Sequence, residues 1–163
     1  MIRQLVPENV CLACRGCCRF SQPESVWSPG LLQEDIDELM RNNIPPLFIL
    51  ANYKLRVAYD KREESFLCSL LDADKNKCKV YAFRPFECQL YPFLVNRRGQ
   101  EVFLAVDLKC PFVRENRDKP VFKEYVHYLT DLFNNPDLLK SLRNNPQIIQ
   151  AYDEVQDIAK LKI

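Results

Sequence analysis

The stretch "PFLVNRRGQEVFLAV" (residues 92–106) has two β-rich arms around "RRGQ", where Gly99 supplies the backbone freedom of a tight turn. It predicts a β-hairpin, and it decides the fold class because the chain reads differently on its two sides. Upstream, "LANYKLRVAYD" (50–60) partly alternates and "ESFLCSLL" (64–71) resembles it, which predicts further short strands. Farther upstream, "WSPGLLQEDIDELMRNNIPP" (27–46) sets Ser28 as a helix cap, Pro29 at the first helical position and Leu32, Ile36 and Leu39 along one face. A helix over about 29–42 is expected there. Downstream of residue 118 the pattern is helical throughout. Tyr125, Leu129 and Leu132 share a face, Leu138 to Leu142 follow, and Ile148, Ile149, Tyr152, Val155, Ile158 and Ala159 continue it. "NNP" occurs at 134–136 and 144–146, each an Asn that can cap followed by a Pro suited to a helix start. The expectation is an α+β fold: a small cysteine-rich body with short strands and a hairpin over 1–117, and an all-helical segment over 118–163 packed on it.

At 163 residues the chain suits one domain with an ordinary core. Apolar residues are 47% and charged residues 28%, which excludes a disordered or collagen-like chain. With 23 basic and 22 acidic side chains the net charge is +1, so no overall field gathers nucleic acid or anionic lipid. The first ten residues, "MIRQLVPENV", lack the apolar core of a secretion signal, and no run approaches the roughly 18 apolar residues of a membrane span. A cytoplasmic protein is expected, with neither nucleic acid nor membrane as partner.

That compartment governs how eight cysteines are read, since reduced thiols clustered in a sequence are more often metal ligands than disulfides. "CLACRGCCRF" (11–20) places Cys11, Cys14, Cys17 and Cys18 within eight positions. The C-x2-C-x2-C run lets a short loop curl its thiolates around one centre, a spacing shared with iron-sulfur ligand loops. In those loops the fourth cysteine precedes proline, and here Cys110 precedes Pro111. Cys68, Cys78 and Cys88 are spaced by ten and ten, too wide for paired zinc knuckles. Adjacent side chains in extended backbone point to opposite sides, so Cys17 and Cys18 suit two centres, or one centre and the packing behind it. All eight are candidate ligands of iron, as an iron-sulfur cluster, or of zinc, with iron favoured. Arg15, Arg19, Lys79, Arg84 and Lys109 stand beside cysteines and can offset thiolate charge, or serve simply as a solvated surface. Phe20, Phe66, Tyr81, Phe83, Phe86, Tyr91, Phe93 and Phe112 fit an ordinary core as well as they fit a shield around a cluster.

These residues resemble a family. "CLACRGCC" followed by "FLCSLLDADKNKCKVYAFRPFECQLYPF" (66–93) is similar to the YkgJ-like cysteine-cluster proteins, the CxxCxxCC family of zinc- or iron-chelating domains. The shared features are C-x2-C-x2-C-C at Cys11 to Cys18, then Cys68, C-x2-Y-x2-R-P-x2-C at Cys78, Tyr81, Arg84, Pro85 and Cys88, Y-P-F at Tyr91 to Phe93, and Cys110. The resemblance implies metal chelation by these eight cysteines, with zinc or iron left open. Two features depart from the family pattern. Gln89 stands where an arginine is frequent, and "DADKNKC" lacks the usual glycine before its cysteine. A similar cluster occurs in flagellin lysine methylases, yet this chain has three glycines, Gly16, Gly30 and Gly99, and no glycine-rich turn for a nucleotide-like cofactor. No catalytic motif is evident, and none of the eight cysteines is assigned a catalytic role.

Three other signals are set aside. Asp72, Asp74 and Asn76 begin like a calcium loop, but Lys77 and Phe83 fill the positions that need glycine and glutamate. His127 is the sole histidine, so it forms no His pair. Glu34, Asp35, Asp37 and Glu38 crowd the front of the first predicted helix, where carboxylates suit the dipole, and read as a solvated face.

Overall fold

A computed structural model describes residues 2–14 and 16–163. The chain divides into two compact units, Pro7–Gln89 and a second formed by Leu90–Ile163 with the residues up to Val6.

The first unit is built of short pieces. Helix α1 (Glu8–Ala13) leads into strand β1 (Arg19–Phe20), and helix α2 (Gln33–Arg41) is followed by a single 3-10 turn at Pro46–Phe48. Strands β2 (Val57–Asp60) and β3 (Ser65–Cys68) form an antiparallel pair with Val57 opposite Cys68, and β1 joins the other edge of β3 with Phe20 opposite Phe66. Strands β4 (Leu71–Asp72) and β5 (Lys77–Cys78) make a second small hairpin, and helix α3 (Phe86–Leu90) follows. Leu31, Leu39, Leu55, Leu70 and Val80 are almost fully buried and form the core together with Phe20, Leu67, Cys68 and Leu71.

Helix α2 starts later than the residue pattern predicts. Ser28 is no cap, because its hydroxyl donates to the Leu55 carbonyl at 2.7 Å and Gly30 bridges Lys54 as extended backbone. Tertiary pairing thus takes the first turn away from the helix. Its entrance is closed instead by Asp35, whose carboxylate accepts the Leu32 N–H at 2.8 Å.

In the second unit, strands β6 (Phe93–Arg98) and β7 (Glu101–Asp107) form the predicted hairpin, with Arg98 opposite Glu101 and Gly99–Gln100 as its turn. Gly99 sits at φ +62°, where a Cβ is strained, although no atom lies within 4 Å of where that Cβ would stand. Helices α4 (Pro111–Asn116), α5 (Pro120–Leu132) and α6 (Pro136–Asn144) each open on a proline, which loses no intrahelical bond at that position. Asn135 caps α6 as expected, accepting from the amides of Asp137 and Leu138. Phe122, Tyr125 and Leu129 form the buried stripe of α5, and the Phe93 ring lies 5.6 Å from Phe122 and 5.5 Å from Tyr125.

The fold is α+β with helices toward the C-terminal end, but that segment is not all-helical. Residues Val155–Leu161 form strand β8, antiparallel to β7 in a sheet of order β6-β7-β8. The three-residue spacing of Val155, Ile158 and Leu161 mimics a helical stripe. The sheet accommodates it through a register shift at Leu104/Ala105, so the segment pairs with the other edge of β7 instead of coiling. The second "NNP" likewise opens only a 3-10 turn, Pro146–Ile148. Asn145 turns its side-chain amide back onto the Ser141 carbonyl at 2.8 Å and terminates α6.

Candidate metal centre

Seven of the eight cysteines belong to the Pro7–Gln89 unit, and Cys110 belongs to the other. Cys11 lies on α1, and Cys14 is the residue that ends it. Cys17 and Cys18 occupy the turn before β1, with their sulfurs 3.9 Å apart. Cys68 ends β3, where its amide donates to the Cys18 carbonyl at 3.1 Å, Cys78 ends β5, and Cys88 lies on α3. Four separated stretches of sequence thereby bring thiols into one folded unit. Cys110 is buried at the N-terminal end of α4. None of the eight is in a disulfide.

The thiols act on one another. The hydrogen bond that Cys11 gives to Cys17, and then burial, push the Cys11 thiol far up from its ordinary value. At Cys17 that same bond works downward, but the bond to Cys18 opposes it and the net shift is upward. Cys68 is pushed up to about 12 by burial, with Cys78 and Cys17 adding to the shift. Burial also raises Cys88 well above its usual range, helped by the nearness of Cys68, Cys78 and Cys17, and it raises Cys78. Metal-free, these thiols hold their protons because several thiolates cannot share one partly dry volume. A cation placed among them reverses that balance, so the donor set fits a thiophilic metal.

Two sulfurs are already furnished for the charged form. Cys68 accepts the backbone N–H of Leu70, and Cys78 accepts that of Val80, each from the residue two positions on. Hydrogen bonds of this kind stabilise thiolate and tune a bound metal. Arg84 lowers Cys11 and Cys78, and Lys79 lowers Cys68 and Cys78. The Arg84 guanidinium carbon also stands over the Tyr81 ring, 3.9 Å from its centre. The other cations differ in role. Arg19 pairs with Glu63 at 3.2 Å, and Lys109, in the second unit, pairs with Glu154; Arg15 lies outside the described residues. Among the described residues no three Cys, His, Asp or Glu side chains already form a metal cage. His127 is exposed on α5, in the unit that lacks the cysteine run.

Residue reading missed the groups that hold the cysteine segments in place. Asp35 is no solvated carboxylate: it accepts the N–H of Phe86 at 2.9 Å at the start of α3, and burial raises it to about 6. Glu87, buried on α3, accepts the Gly30 N–H in return. The two carboxylates tie the Cys88 helix to the chain on either side of Leu31. Asn76, in the β4–β5 turn, sits at φ +47° and spans to the Cys11–Cys14 segment. "DADKNK" reads only as a failed calcium loop, and neither its turn nor the reach of the Asn76 side chain was expected.

A family described as "putative zinc- or iron-chelating domain" (CxxCxxCC) matches residues 10–111, more than half of the chain. The chain belongs to this family. A protein of Methanocaldococcus jannaschii described as uncharacterized is 25% identical over 101 residues, covering 60% of this chain and 52% of the relative. The chain thus spans about half the length of the curated relative it matches. No solved structure matches it. Among the described residues no helix is long and apolar enough to cross a membrane. Family membership supports a metal ion as the partner of this chain.

Proposed function

We propose that the chain binds iron through its cysteine thiolates, as an iron-sulfur centre that carries electrons or senses oxygen or metal in the reducing cytosol. The ligands come from Cys11, Cys14, Cys17, Cys18, Cys68, Cys78 and Cys88, with Cys110 as the eighth candidate. The supporting observation is the gathering of thiols from α1, β3, β5 and α3 into one unit, where they raise one another's affinity for protons. The C-x2-C-x2-C spacing and the absence of paired zinc knuckles favour iron over zinc. When bound, the centre supplies one-electron chemistry. The protein supplies the amides of Leu70 and Val80 and the charges of Arg84 and Lys79 that set its potential.

A structural zinc-thiolate site in a protein-interaction module is the second reading, since the amide bonds to Cys68 and Cys78 serve thiolate under either metal. Elemental analysis with a visible spectrum, on protein purified without oxygen or added metal, separates the two. Iron with acid-labile sulfide and a brown colour that bleaches on reduction is expected. A colourless protein holding stoichiometric zinc overturns the iron assignment.

A further inference from the structure

Helix α1 is only six residues long, and it ends in the first cysteine segment. Its amide bonds run from Cys11 to Pro7 and from Cys14 to Val10, and among the described residues no backbone bond to the Leu12 or Cys14 carbonyl closes the helix end. The missing donor arrives from 64 positions away. The side-chain amide of Asn76 donates to the Leu12 carbonyl and, at 3.2 Å, to the Cys14 carbonyl. Its oxygen accepts from Arg19 Nη1 at 2.9 Å, and Arg19 Nε is held by Glu63 at 3.2 Å. With a cation on one side and two carbonyls on the other, the Asn76 amide has only one satisfactory orientation. The backbone at Asn76 is left-handed at φ +47°, a conformation that asparagine and glycine tolerate best. Glycine would make the turn but could not make the three hydrogen bonds.

We propose that Asn76 is a positioning residue of the metal centre. It latches the loop of Cys11 and Cys14 onto the hairpin whose next strand carries Cys78, so that thiols distant in sequence are kept in one neighbourhood and need less rearrangement to close on an ion. This inference rests on the metal-binding reading above. Asn76 touches no metal and acts through the main chain of Leu12 and Cys14. Groups of this indirect kind change metal affinity about 10–100-fold when lost.

The test uses the wild type, Asn76→Gly and Asn76→Asp, all full-length and reduced, titrated anaerobically with Fe(II) alone and with Zn(II) alone against a competing chelator. Mass spectrometry then follows the alkylation rate of each cysteine in the metal-loaded proteins. Asn76→Gly relieves the backbone and keeps the fold, which far-UV dichroism and the metal-free melting temperature check. Asn76→Asp keeps the acceptor for Arg19 and removes both donors. Both variants are expected to bind metal at least about tenfold more weakly, and in both Cys11 and Cys14 should alkylate faster than in the wild type while Cys88 keeps its rate. If the wild type binds metal and Asn76→Gly matches it in affinity and in protection of Cys11 and Cys14, the latch is overturned and the metal reading stands. If the wild type binds neither metal, both fall.

Discussion

The carboxylate of Asp35 accepts the backbone N–H of Phe86 at 2.9 Å, so a residue of α2 fixes the first turn of the helix that carries Cys88. Burial holds Asp35 up at about 6, against about 3.9 for an aspartate in an unfolded chain. The folded state therefore binds this proton more tightly. The stability it contributes is full below about pH 4 and is lost as the pH rises through about 6. The melting temperature of the wild type relative to Asp35→Asn should fall across that interval in metal-free protein. A difference that stays constant between pH 4 and 6 would show that Asp35 titrates as it does in the unfolded chain.

Cys88→Ser should lower bound metal without unfolding the second unit. Helices α5 and α6 belong to Leu90–Ile163, and α5 packs Phe122 and Tyr125 on Phe93. Cys14→Ser should act likewise. Metal content by mass spectrometry and helicity by far-UV dichroism check the pair of statements. Unchanged metal in both variants would remove these cysteines from the site.

Metal uptake should release protons. Cys68 is pushed up to about 12, and Cys11, Cys78 and Cys88 are also raised, so the free thiols are neutral at pH 7 and must ionise to ligate. Affinity should rise with pH between 6 and 8 for that reason. Calorimetry in two buffers of different ionisation enthalpy counts the protons, and a count of zero would mean that the thiols are not the ligands.

Asn96 is fully buried, donates to Asp157 at 2.7 Å and accepts the Tyr152 N–H at 2.9 Å. Asn96→Ala removes the acceptor of the Tyr152 N–H and one partner of the Asp157 carboxylate, which keeps Arg98 at 3.1 Å. The expected loss is about 1–3 kcal/mol in urea unfolding, with faster hydrogen exchange confined to Val155–Leu161.

Gly99→Ala should cost about 1–2 kcal/mol. The loss comes from the backbone alone, because the space beside Gly99 at φ +62° is open. Gly99→Asn should recover part of it, and equal stability of the Ala and Asn variants would refute a conformational cause.

Hairpin 92–106 was legible because alternation, a glycine and a short turn all act within a few residues. The α+β class followed from it. Strand β8 was not legible as a strand, since Val155, Ile158 and Leu161 satisfy a helical period as readily as a bulged strand, and only the open edge of β7 decides between them. The cysteines announced themselves by spacing. Asn76, Asp35 and Glu87 did not, because each acts on a main-chain group at least 50 positions away, which no local pattern encodes.

The strand order β6-β7-β8 also imposes a timetable. Strands β6 and β7 meet across two residues and can pair within microseconds of leaving the ribosome. The other edge of β7 must wait until Val155–Leu161 has been synthesised and the intervening stretch from Pro111 onward has closed as a loop. Arg3 waits too, until α5 has been made, since its backbone bonds are to the hydroxyls of Tyr125 and Tyr128. During translation the cysteine segments through Cys88 emerge while the second unit is still incomplete. Ligand capture by the nascent chain can therefore precede completion of its last sheet.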